Sequence, residues 1–98
     1  MLKFNDFKAS LGAQRPPPNL APLLNALWHD GRGDWQSAHE LAQDVHTRDG
    51  SWVHAYLHRK EGDLANAGYW YSRAGRSMPS TSVEGEWEII ARELLGGS

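Results

Sequence analysis

Apolar side chains recur along most of this chain every three or four residues, the spacing of one face of an α-helix. They nowhere alternate for more than a few positions, as a half-buried strand requires. Leu20, Leu23, Leu24, Leu27 and Trp28 form a first stripe and predict a helix from about Leu20 to Asp30. Asn19 stands where an N-cap belongs, Pro22 falls in the first turn, and Gly31 and Gly33 stop the run. Asp34 is placed to cap a second helix, roughly Trp35 to His46, with Ala38, Leu41, Ala42 and Val45 on one face. Asp49-Gly50 breaks the pattern, and a third helix is expected from about Ser51 to Lys60, carrying Trp52, Val53, Ala55, Tyr56 and Leu57. Gly62 ends it, and Asp63 can cap a fourth from Leu64 to Ala74, with Leu64, Ala67, Trp70, Tyr71 and Ala74 as its apolar members. Gly75 and Pro79 close that segment. Thr81 and Glu84 have the spacing of a capping box ahead of a last helix. There Val83, Trp87, Ile90, Ala91 and Leu94 share a face, with Glu84, Glu86, Glu88 and Glu93 mostly off it.

Residues 1–18 read as an arm: Phe4, Phe7 and Leu11 fit one or two helical turns, and Pro16-Pro17-Pro18 favours an extended spacer. Residues 19–95 make a single helical domain, and 96–98 a flexible tail. The expected fold is all-α, about five helices, arranged as two antiparallel helix-turn-helix pairs with the last helix as a cap.

The two pairs repeat one another. Leu27-Trp28-His29-Asp30-Gly31-Arg32-Gly33-Asp34-Trp35-Gln36-Ser37-Ala38 aligns with Tyr56-Leu57-His58-Arg59-Lys60-Glu61-Gly62-Asp63-Leu64-Ala65-Asn66-Ala67 at a constant offset of 29 residues. Each coincidence has a mechanical cause. Glycine leaves one helix at positive φ, aspartate caps the next, the bulky residue after it (Trp35 or Leu64) covers the corner, and alanine lets the helices approach closely. Gly33-Asp34-Trp35-x-x-Ala38 and Gly62-Asp63-Leu64-x-x-Ala67 resemble the turn of tetratricopeptide repeats. Tyr71, Ala74 and Pro79 fall where that family places an aromatic, a small residue and a closing proline. Ala26 and Ala55 match the small residue of its first helix, and Tyr69 to Ala74 resembles the related Sel-type repeats. The offset is shorter than the usual repeat of about 34 residues, and the first copy lacks the closing proline.

The resemblance implies a concave groove that holds a protein or peptide partner. By repeat position it would be lined by Leu23, Leu27 and Asp30 from the first copy and by Trp52, Tyr56 and Arg59 from the second. Trp, Tyr and Arg are also the types that dominate interface energies. Spare aromatic surface has a second outlet, a symmetric homodimer.

Composition narrows the chemistry further. The 98 residues carry a formal net charge of −2 and five tryptophans, with no cysteine. That charge gives no reason to expect nucleic acid or an anionic membrane as partner. The lack of cysteine excludes disulfides, thiolate metal sites and cysteine nucleophiles. No apolar run approaches the roughly 18 residues of a spanning helix, and residues 1–8 lack the apolar stretch of a signal peptide, so cytoplasm is the expected location.

Five histidines remain as candidates for chemistry. His54 and His58 are four apart and share a helix face, a spacing that suits one zinc ion, with Glu61 three residues further on. His39 and His46 share a face of the preceding helix, so packing those faces together would make a His-rich cluster. Against this, His29 and His58 occupy one repeat position, which points to architecture, and buried histidines often rest against rings while hydrogen-bonded. No His-Glu-x-x-His motif, Gly-x-Ser-x-Gly elbow or phosphate loop is present. The C-terminal glutamates read as a solvated face. No catalytic residue, cofactor or metal is therefore assigned from sequence. A metal-binding protein or metal-dependent enzyme using His54, His58, Glu61, His39 and His46 stays as the alternative.

Overall fold

The computed structural model describes residues 2–96, and within them every regular element is helical. Residues 97 and 98 of the expected tail lie outside the described residues. The elements are α1 (Phe4–Ala9), a 3-10 turn (Ser10–Gly12), α2 (Pro22–Gly31), α3 (Trp35–Gln43), α4 (Arg48–Glu61), α5 (Leu64–Ala74) and α6 (Val83–Leu94). The six α-helices exceed the expected five by the arm helix α1.

The two corners are built alike. Gly33 and Gly62 take φ of 83° and 90°. Asp34 and Asp63 accept from Ser37 N and Asn66 N, and their own amides donate to the carbonyls of His29 and His58. These hydrogen bonds to its carboxylate hold Asp34 below the usual carboxylate range. Ala38 and Ala67 are fully buried where the helices of each pair meet. The corner covers differ. Trp35 is half-buried and donates from Nε1 to Leu57 O at 2.8 Å, whereas Leu64 remains 57% exposed because no further pair stacks on it.

Four boundaries differ from expectation, the first being the end of α3, which stops at Gln43 and not at His46. Asn19 does not cap α2: it lies outside the helix at φ 62°, and Ala21 precedes Pro22 at the first helical position. α4 begins at Arg48, capped by Thr47 on Gly50 N, so Asp49-Gly50 belongs to its first turn rather than breaking it. Gly50 is there for space: a Cβ would stand 1.9 Å from Val45 O. Ser82, not Thr81, caps α6, because its hydroxyl accepts from Gly85 N at 2.9 Å.

α6 lies across the inner sides of α2 and α4. Trp87 donates from Nε1 to Leu27 O at 3.0 Å, and Phe7 of the arm stacks on its ring at 5.7 Å. Phe4 meets the same ring edge-on. The arm is tied down further by Trp28 Nε1 to Ser10 O and by Arg32 to the carbonyls of Leu11 and Ala13. Gly31 permits this docking, since a Cβ there would press on Leu11 and Trp87. Each of these rings buries a large apolar area, which a short chain needs. No helix of the described residues is long and apolar enough to cross a membrane.

Candidate functional site

α4 is the central helix, and its two sides carry different chemistry. The side facing α6, together with the adjoining face of α2, holds the residues expected to line a groove. Leu23, Leu27, Trp52 and Tyr56 are each less than one-tenth exposed. The Arg59 side chain is 14% exposed. The groove positions are interior because α6 covers them.

Glu86 organises this covered side. It is 2% exposed and accepts from Tyr71 OH at 2.7 Å, Arg59 at 2.8 Å and Trp52 Nε1 at 3.3 Å. Arg59 also donates to the carbonyl of Thr81. Asp30, equally buried, accepts from Tyr56 OH at 2.5 Å and Lys60 Nζ at 2.8 Å. Burial and the adjacent carboxylates push both phenols well above their ordinary range, so both remain donors at any physiological pH. Glu86 is thus not part of a solvated face. The signal for it lay in Trp52, Tyr71 and Arg59, three polar tips that need an acceptor once buried.

On the side facing α3, three imidazoles converge. His54 and His58 lie one helical turn apart on α4, and His39 reaches them from α3. His39 Nε2 and His54 Nε2 are 3.0 Å apart, and one nitrogen from each of the three rings falls within 4.8 Å of the others. His58 directs Nδ1–H at Glu61 Oε1, 2.5 Å away, which leaves Nε2 as the nitrogen not engaged by that carboxylate. Glu61 therefore orients His58, in the manner of an outer-shell carboxylate. His54 and His58 are buried and His39 is partly so. His46 is exposed beyond the end of α3 and stays out of the cluster.

Aromatic rings wall the group. Trp35 stacks on His39 at 4.8 Å, Trp70 stacks on His54 at 4.1 Å, and His54 in turn stacks on His58 at 4.8 Å. Burial first, then the neighbouring imidazoles, lowers His54 to about 4. Burial and then His58 also lower His39. Both rings are neutral at pH 7 and offer lone pairs without first losing a proton.

Neither known protein families, curated proteins nor solved structures match this chain. The site is therefore read from its own chemistry. Three imidazoles from two helices, one oriented by a carboxylate, form a donor set suited to zinc, copper or nickel. A metal at the usual Zn–N distance of ~2.1 Å needs its nitrogens ~3.4 Å apart. The 3.0 Å separation of His39 and His54 is instead that of a hydrogen bond, in which one Nε2–H donates to the other Nε2. Binding would require the donor ring to shift its hydrogen to Nδ1 and the pair to open by a few tenths of an ångström. Trp35 and Trp70, absent from the residues expected at the site, stack on the faces of His39 and His54.

Proposed function

We propose that the protein binds a single divalent transition metal, zinc foremost, through His39, His54 and His58, with Glu61 fixing the tautomer of His58. The observation that carries this reading is the convergence of the three imidazoles. Three protein nitrogens leave a fourth position open, the arrangement of sites that bind an exchangeable ligand. A peptide-holding role has less support, because the side chains that would line its groove lie under α6. We also read the duplicated corner as a degenerate tetratricopeptide-like pair, supported by the shared glycine conformation and capping.

Tag-free, chelator-treated protein titrated with Zn²⁺ by calorimetry is expected to take up one equivalent at ~1 μM or tighter. Co²⁺ should give the intense visible bands of a tetrahedral site. H39A, H54A and H58A should each weaken binding at least about 100-fold, and E61Q about tenfold. His29→Ala, remote from the cluster, serves as control. Uptake that H54A leaves unchanged, or no uptake by folded wild-type protein, would overturn the assignment.

A further inference from the structure

Beside the imidazole cluster, where the α3–α4 link meets α5, the chain forms an open pocket of about 550 Å³. Its walls include His46, Arg48, Ser51, His54, Trp70 and Arg73, and no carboxylate lines it. Neither Arg48 nor Arg73 forms an ion pair among the described residues. Arg73 is held instead over the rings of Tyr69 and Trp70, at 5.7 and 5.5 Å. Asp44 and Asp49, the carboxylates nearest along the chain, are exposed and are not among its lining residues.

The contrast lies across α4. On the opposite side of α4, Arg59 and Lys60 are each matched to a buried carboxylate. The pocket is lined from three segments by two arginines, two histidines and the hydroxyl residues Thr47 and Ser51, with no carboxylate among them. The pocket also adjoins the first turn of the 14-residue helix α4, whose positive end adds to the same field. Guanidiniums present paired N–H donors that match the oxygens of a tetrahedral anion, and each charge-assisted bond is stronger than a neutral one.

We propose that the pocket binds the phosphate group of a small molecule, with Arg48 and Arg73 as its principal donors and His46 at its rim. The site stands without the metal. His54 belongs to both walls, so a phosphate seated here lies beside the imidazole cluster.

The test uses chelator-treated protein without added metal, so its outcome does not depend on the metal reading. Inorganic phosphate is titrated at constant ionic strength while backbone amide shifts are followed by NMR, with acetate and chloride as comparison arms. Saturable shifts are expected around residues 46–51 and Arg73, with acetate at least about tenfold weaker than phosphate. R48Q and R73Q should each weaken phosphate about tenfold or more, while Arg15→Gln, on the exposed arm, should not. Both variants must keep the wild-type amide spectrum outside the pocket. Shifts that fail to saturate, phosphate no better than acetate, or equal binding by the folded R48Q and R73Q variants would each overturn the proposal.

Discussion

The two sides of α4 bury polar groups to opposite effect. Toward α6, every buried charge has a partner of opposite sign or a strong donor: Glu86 takes Arg59, Tyr71 and Trp52, and Asp30 takes Tyr56 and Lys60. Toward α3, three groups of the same kind face each other, and burial keeps at least two of them neutral. The first side is saturated and can do little except hold helices in register. The second holds lone pairs that no proton satisfies fully, the condition a ligand improves. One helix thus separates a lock from a site by what each neighbour supplies.

The comparison breaks most sharply on stability. Glu86→Ala leaves Arg59 and two buried donors without their acceptor, and removing one partner of a buried pair typically costs about 3–5 kcal/mol. His54→Phe keeps a flat ring between His58 and Trp70 and should cost under about 1.5 kcal/mol. Urea unfolding followed by tryptophan fluorescence measures both. Similar losses in the two variants would show that the imidazoles are as structural as the carboxylates.

Acid separates the sides by a smaller margin. His54 is depressed to about 4 in the folded chain against an ordinary value near 6.5. Between those values the unfolded chain binds more protons, so stability rises with pH across the window and is lost as pH falls through it. His39 shifts in the same direction. A drop on the order of 2 kcal/mol between pH 6.5 and 4 is expected, and H54F should flatten much of it. An unchanged slope in that variant would place the acid sensitivity elsewhere.

Much of the framework was legible in the chain. The Gly-Asp corners sit where the 29-residue offset puts them, since glycine at positive φ and an aspartate cap are local requirements. The apolar stripes likewise mark the inward faces of the helices, Leu64 excepted. What escaped was tertiary. Gly50 reads as a breaker, yet it serves close contact with Val45, which no local pattern encodes. Glu86 reads as solvated because periodicity places it off the stripe, and only the position of α6 brings three donors to it. His39, His54 and His58 were visible as candidates. Their meeting depended on which faces of α3 and α4 pack together, and the same choice left His46 outside.

The smallest predicted effect bears on the corners, where the two helix pairs are most alike. If each corner is an autonomous local structure, Asp34→Ala and Asp63→Ala should cost the same, about 1 kcal/mol apiece for a lost N-cap. Their effects on the site should differ. His29, at the first corner, is remote from the cluster. His58, at the second, accepts the Asp63 amide N–H at its carbonyl and lies with Glu61 and Asp63 in one polar group. Asp63→Ala should therefore weaken zinc binding several-fold at equal stability loss, and Asp34→Ala should not. Chemical denaturation and zinc calorimetry on the same two variants decide it. Equal stability costs with unequal affinities would show that one corner was built twice and that its chemistry came from the helix packed against it.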